Sequence, residues 1–397
     1  MENFKYYNPV KILFGKGQEQ HIADLVMEYS KSKKVLVLFS GDYYMNLGIE
    51  KLIHEKFDKE NIKYFENGNI VPNPRIELVD ELSKQVKDKG IDFILAVGGG
   101  SVIDTAKAVS VGALYEGTAW NFFTGEATPK SSLPVGIIST AASSGSEMSN
   151  DSIVNNADHK LTLENNIILP KFAIMNPEYT LNFPMFQTGA GLSDMMCHML
   201  ERYFTTVEDV NLTDRMLEGA IRSLLDEAVK LQENPHDYQV RAEIMWTAIA
   251  AHNSFLELGR TPDWASHRIE NELTAKFGIT HGEGMAIVFP AWMAYTSQFL
   301  PEKFVQLGLR LFGFDRFAYS DKQIIELTIK RFREYFASVG MHKNLSELNI
   351  ESDPKLFKEM GLKATLDDTA PIGHYKKLYS DDIEQIIEIA VSQGKSE

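Results

Sequence analysis

Residues 91–109 read IDFILAVGGGSVIDTAKAV, an apolar run closed by three glycines and followed by a stretch with helical spacing. The run through Val97 has the length and β-branched content of an interior strand, and the residues after Ser101 place apolar side chains on one helical face. Gly98, Gly99 and Gly100 then form the turn between strand and helix. Glycines at such a turn let a pyrophosphate approach the backbone without side-chain obstruction, and the helix N-terminus that follows favours its negative charge. Ser101 and Asp104 have the spacing of a capping box at the helix start. A G-G-G-S turn is not the G-x-G-x-x-G fingerprint, so a tight turn that binds nothing is the alternative reading.

Outward from this unit, short apolar runs alternate with amphipathic stretches, the pattern of a parallel sheet covered by helices. Strands are expected at 35–39, 91–97, 133–138 and 172–175, and helices at 18–30, 48–61, 75–89 and 101–114. Pro72, Asn73 and Pro74 mark one of the intervening turns. From residue 186 onward no run reads as a strand. Helices are expected there at 187–205, 212–232, 238–258, 301–312, 322–339 and 380–393. The expected fold class is an α/β N-terminal dinucleotide-binding domain with a parallel sheet, residues 1–184, followed by an all-α C-terminal domain, residues 185–397. A cleft between two such halves is the expected place for a small-molecule site.

The loop STAASSGSEMSND at 139–151 follows a strand, at the edge where parallel sheets bind ligands. Thr140 and Ser144 are candidate donors to a cofactor, with a solvated connection as the plainer reading. Lys160 is a further candidate.

The second half carries a different chemistry. Asp194 and His198 in GLSDMMCHMLE are one helical turn apart and share a face, and His267 and His281 follow in SHRIENELTAKFGITHGEG. Singly, each reads as an ordinary surface or core residue. As a set, one carboxylate and three imidazoles suit a divalent first-row metal, Fe²⁺ or Zn²⁺, and suit Ca²⁺ or Mg²⁺ poorly. Cys197 could be a soft ligand but lies off the ligand face and reads as a packing residue; Phe255 and Trp264 are candidates to line a substrate end, with core packing the plainer reading.

Composition narrows the function classes. With 55 acidic against 40 basic residues, a net charge of −15 opposes binding to nucleic acid or to an anionic membrane. No apolar run approaches the roughly 20 residues needed to span a bilayer. The opening MENFKYYNPVKILFGKG lacks a basic segment followed by an apolar one, so a secretory signal is not expected. One cysteine excludes a disulfide within the chain and suits the cytoplasm.

The motifs FGKG at 14–17, PNP at 72–74, GGGSVIDTAK at 98–107, GSE at 145–147, GLSDMMCHMLE at 191–201 and HGEGMAIVFP at 281–290 together resemble the iron-containing alcohol dehydrogenase family. Within it the chain is most similar to the butanol dehydrogenase and NADPH-dependent aldehyde reductase branch. The resemblance implies the architecture shared with dehydroquinate synthases, and reversible hydride transfer between a nicotinamide cofactor and a small primary alcohol or aldehyde. It places the catalytic metal on Asp194, His198, His267 and His281, and the pyrophosphate on Gly98, Gly99, Gly100 and Ser101. Thr140, Ser144 and Lys160 then fall near the nucleotide or nicotinamide, and a homodimer is implied.

Two positions depart from the family pattern. Many members have a second histidine four residues after the third ligand, where this chain has Asn271, which hydrogen-bonds but does not titrate near neutral pH. The branch commonly shows a glycine-rich G-G-G-S after the strand at 35–39, where this chain reads Ser40, Gly41, Asp42 and Tyr43. A carboxylate there would bind an adenosine ribose and repel a 2′-phosphate, while Ser40 and Gly41 leave space for one. The branch points to NADP(H) and Asp42 to NAD(H), so both stay open. The rival readings are a non-oxidative, dehydroquinate synthase-like enzyme on a phosphorylated substrate, and a catalytically silent binding protein.

Overall fold

A computed structural model describes residues 1–41, 43–157 and 159–394, so Asp42 lies outside the described residues. The strands are β1 (Lys11–Phe14), β2 (Lys34–Phe39), β3 (Lys63–Asn67), β4 (Phe93–Gly98), β5 (Val135–Ser139), β6 (Asp151–Asn156), β7 (His159–Glu164) and β8 (Phe172–Met175). Six of them form one sheet in the order β1-β8-β5-β4-β2-β3, with every neighbouring pair parallel. β6 and β7 form a separate antiparallel hairpin.

Side chains of a strand alternate between its two faces, and here both faces are covered. Leu36, Leu38, Ile94, Ala96 and Ile137 join one core with helices Ile76–Lys89 and Gly100–Gly112. Val35, Val37, Phe93, Leu95 and Ile138 join the other with helices Ile22–Tyr29 and Ile49–Lys59. A strand buried on both sides must be apolar at nearly every position, as FILAVG in β4 is. Each fully buried Leu or Ile contributes about 1.5–3 kcal/mol over an exposed one.

The helix after β2 leaves toward one face and the helix after β4 toward the other. The two strands are neighbours, with Phe39 opposite Val97. Their C-terminal ends therefore form a topological switch point, the place where open parallel sheets bind ligands.

Compactness divides the chain differently from a single cut after residue 184. One unit comprises Tyr7–Phe183 with His236–Asn253, the other Met1–Tyr6 with Pro184–Pro235 and Ser254–Glu397. Helix Tyr238–His252 sits with the sheet because Met245 and Ile249 belong to its core. Trp246 of that helix packs edge-on to Phe14, ring centroids 5.9 Å apart. The helix ends at His252 rather than running on to residue 258. The N-terminal residues go with the other unit, where the Met1 ammonium donates to the Glu208 carbonyl and Tyr6 meets the Phe255 ring.

That second unit is built of helices, including Met185–Tyr203, Asn211–Glu233, Ala265–Phe277, His281–Thr296 and Asp321–Ser338. Its only pairing outside helices among the described residues is an isolated bridge between Ile372 and Leu378. Phe204, Phe289, Trp292 and Phe304 pack ring to ring in its centre. No helix among the described residues is long and apolar enough to cross a membrane.

Candidate metal and nucleotide sites

Three helices of the second unit deliver the metal-site candidates. Helix Met185–Tyr203 carries Asp194 and His198, both buried. His267 lies in the first turn of helix Ala265–Phe277, and His281 opens helix His281–Thr296. Two glycines bring the third helix close. A Cβ built on Gly282 would sit 2.0 Å from the Ala190 carbonyl oxygen, and one on Gly284 would sit 2.6 Å from Glu270 Oε1. With hydrogen alone at both positions, His281 reaches Asp194.

The side chains converge on one oxygen. Asp194 Oδ1 lies 3.4 Å from His198 Nε2, 3.8 Å from His267 Nε2 and 3.5 Å from His281 Nε2. Donor atoms of Asp194, His267 and His281 all fall within 4.8 Å of one another. His198 is outside that mutually close trio but stacks on His267, ring centroids 5.0 Å apart and 8° from parallel. Burial disfavours the Asp194 carboxylate, but the His198 charge and contacts from His267 and His281 outweigh it and hold the group well below its ordinary range. Burial likewise opposes the His267 imidazolium, and the Asp194 and Glu201 carboxylates more than offset it, so that its pKa is raised.

These residues fit a divalent cation. Asp194 Oδ1 and His267 Nε2 are buried and find no hydrogen-bond partner among the described residues, an arrangement that native folds avoid unless something else satisfies the atoms. A cation among them would do so. His281 remains 29% exposed at its side chain, which leaves the cluster open on one side. The nitrogen and carboxylate donors suit Fe²⁺ or Zn²⁺ and do not choose between them.

Two carboxylates behind the histidines escaped the sequence reading. Glu201, fully buried, accepts from His267 Nδ1 at 2.9 Å, and Glu270, also fully buried, meets His281 Nδ1. Trp264, read from sequence as ordinary core, instead packs edge-on to both His198 and His267. Its backbone is left-handed at φ 62°, a strained state for a large residue. Phe255, also read as core, is 42% exposed. Cys197 is buried as expected, and burial pushes its thiol well up. Asn271 lies half-buried one turn beyond His267.

In the sheet unit, the glycine turn lies at the C-terminal end of β4. Helix Gly100–Gly112 begins directly after Gly99, which caps it without any side-chain bond. The capping box expected of Ser101 and Asp104 is absent because the helix starts earlier and Asp104 turns elsewhere. Asp104 accepts from Ser146 Oγ at 2.8 Å and from the Ile153 N–H at 3.3 Å. Gly100 leaves room for Ser144, whose Oγ would lie 2.7 Å from an added Cβ, and Gly98 leaves room for Val102. The glycines thus serve close packing as well as an open backbone.

Gly98, Gly99, Gly100, Ser101, Thr140 and Ser144 therefore come together at this edge, with the Thr140 N–H donating to the Gly98 carbonyl at 3.3 Å. Ser40 follows the adjacent β2, and its Oγ donates to the Ile70 carbonyl at 2.9 Å. Gly41 comes next, and Lys160 lies on β7 opposite Asn155.

Lys107 was passed over in the sequence although it lies within the glycine motif. Its buried ammonium donates to the Ser146 carbonyl and Oγ, the Ser149 carbonyl and Oγ, and the Asp151 carbonyl, at 2.7–3.2 Å. It stitches loop 146–151 to the helix, and burial lowers its pKa. Asp104 beside it is pushed up by burial to about 6.

Residues 9–177 match the family described as iron-containing alcohol dehydrogenase, and residues 188–391 match the Fe-containing alcohol dehydrogenase family, C-terminal. The chain is 35% identical to the probable NADH-dependent butanol dehydrogenase 2 of Bacillus subtilis, covering 98% of this chain and 99% of that one. It is 31% identical to the NADPH-dependent aldehyde reductase YqhD of Escherichia coli, covering 91% and 93%. The crystal structure of NADH-dependent butanol dehydrogenase A from Thermotoga maritima superposes with a TM-score of 0.92 at 32% identity, covering 98% and 99%. By its sequence along nearly its whole length and by its fold, the chain belongs to the iron-containing alcohol dehydrogenase family.

Proposed function

We propose that this protein is a metal-dependent alcohol dehydrogenase or aldehyde reductase that moves a hydride between NAD(H) or NADP(H) and a small primary alcohol or its aldehyde. The observation that carries this is the convergence of His198, His267 and His281 on Asp194 Oδ1, in a chain similar to butanol dehydrogenases and an aldehyde reductase.

Asp194, His198, His267 and His281 hold the cation. When bound, Fe²⁺ or Zn²⁺ supplies Lewis acidity toward the substrate oxygen. Gly98, Gly99, Gly100 and Ser101 offer backbone N–H groups at a helix N-terminus to the cofactor pyrophosphate, and Thr140 and Ser144 add hydroxyls beside them. Ser40 and Gly41 follow β2 and are candidates for the adenosine end, as is Asp42 by its place in the sequence, with Lys160 a further candidate. Asn271 can orient a water or a ribose hydroxyl but supplies no proton of its own, so a proton relay would need water, the cofactor ribose or another residue.

A cytoplasmic homodimer fits the single cysteine and the family resemblance. The reading is tested by incubating the protein with a panel of aldehydes, butanal included, and NADH or NADPH, while following the reduced-cofactor absorbance band. Consumption of cofactor with at least one short aldehyde is expected. No consumption across the panel in metal-replete protein would overturn it and leave the silent binding protein or the non-oxidative enzyme.

A further inference from the structure

Two buried glutamates reach the metal-site histidines from behind, and each lies three residues after a different ligand. Glu201 follows His198 on helix Met185–Tyr203, and Glu270 follows His267 on helix Ala265–Phe277. Glu201 does not serve His198, nor Glu270 His267. Each bonds the next histidine in chain order, Glu201 to His267 and Glu270 to His281.

We propose that Glu201 and Glu270 are positioning residues that fix the proton-bearing nitrogen of His267 and His281, and thereby set how tightly this chain holds its cation. The inference rests on the metal-site reading above. A neutral imidazole has one N–H and one lone pair, and a carboxylate at Nδ1 claims the N–H. The Nε2 lone pairs of both rings then face Asp194 Oδ1.

The surroundings of Glu201 show why a carboxylate is needed. Its Oε1 accepts from Ser266 Oγ, the His267 N–H at 3.2 Å and His267 Nδ1, while its Oε2 accepts from the Trp264 N–H at 2.8 Å. Each of these four contacts is made by a donor. A glutamine in its place would turn an amide N–H toward one of them. The bond to Trp264 also secures the left-handed turn whose indole packs on His198 and His267.

Glu270 is enclosed in the same manner. Thr274 Oγ1 donates to Oε1 while Oε2 meets His281 Nδ1, and the missing side chain at Gly284 leaves the carboxylate its space. The histidine at the most open position is thus held by a group with no exposure of its own.

The test compares metal-free wild type, Glu201→Gln and Glu270→Gln in two titrations, one with Zn²⁺ in competition with a chelator and one with NADH. The expected result is metal binding weakened 10–100-fold in each variant, with the NADH dissociation constant within about twofold of wild type because Gly98, Gly99, Gly100 and Ser101 belong to the other compact unit. Zn²⁺ affinity within about threefold of wild type in both variants would overturn the inference, since orienting carboxylates typically matter more than that. An equal loss of NADH and Zn²⁺ binding marks a merely structural role and also overturns it. If Glu201→Gln does not fold, Glu270→Gln decides the matter at His281. Wild type that binds no Zn²⁺ refutes the metal-site reading itself.

Discussion

Gly282 lies so close to Ala190 that an added Cβ would stand 2.0 Å from the Ala190 carbonyl oxygen. Ala190 is one helical turn before Asp194 on the same helix, so this contact sets how near His281 comes to the carboxylate. Gly282→Ala must push the two helices apart, because the obstacle is backbone. Overpacking of this kind costs about 1–3 kcal/mol, and His281 retreats with its helix. A drop in the urea midpoint together with weaker Zn²⁺ binding is expected; a variant as stable and as metal-avid as wild type would contradict the packing argument.

His267→Ala and His281→Ala each remove one donor from the cluster around Asp194 Oδ1. Loss of bound metal and at least a 100-fold fall in turnover are expected, on the order of 3 kcal/mol in the barrier. NADH binding should persist, since the glycine turn belongs to the other unit. Elemental analysis, rate measurement and NADH titration check the three parts, and unchanged turnover in both variants would remove these residues from the site.

Lys107 is held by five oxygens of Ser146, Ser149 and Asp151. Lys107→Met keeps the bulk and strands those acceptors, at a cost on the order of 3 kcal/mol. The loop that begins with Thr140 and Ser144 loosens with it. Lower urea stability and weaker NADH binding, with Zn²⁺ affinity retained, are the expected outcome; a variant that binds NADH as wild type does would show the loop to be held by other means.

Asp263 carries a pH dependence. Burial first and the charge of Glu201 second push its carboxyl up to about 7, against hydrogen bonds donated by the N–H groups of Tyr375, His374 and Ala265. A folded-state value above the unfolded one of about 4 means that the fold favours the protonated acid. Its contribution to stability is complete below the unfolded value and is lost as pH rises through the folded value. Between roughly pH 4 and pH 7, unfolding free energy should fall more steeply in wild type than in Asp263→Asn. Equal slopes in metal-free protein would contradict the assignment.

The β2 end bears on cofactor choice. Asp42 follows Ser40 and Gly41, and a carboxylate near an adenosine ribose opposes a 2′-phosphate. Asp42→Gly is expected to raise kcat/KM with NADPH relative to NADH. An unchanged ratio would take Asp42 out of cofactor selection.

The central strands were legible because burial on both faces leaves an unbroken apolar run, as in residues 93–97. β1 and β3 lie at the two sheet edges, where KILF and KYFEN mix charged and apolar residues and resemble loop. Helix His281–Thr296 was missed for the opposite reason. It is buried nearly all round and contains Pro290, so no amphipathic period marks it.

The four metal-site candidates were legible as a set, whereas Glu201 and Glu270 look in sequence like any solvent-facing helical glutamate. Their repeated spacing, three residues after His198 and His267, was the available signal. Helix Tyr238–His252 joins the sheet unit from far along the chain, a return that local patterning does not encode.

The most direct test of the central claim follows metal content and turnover in one preparation. Protein purified without air is stripped with a chelator, assayed with butanal and reduced cofactor, then titrated with Fe²⁺ or Zn²⁺. Turnover should vanish with the metal and return as about one equivalent per chain is restored, the stoichiometry of a single cation site. Full turnover in protein shown by elemental analysis to be metal-free would contradict the account.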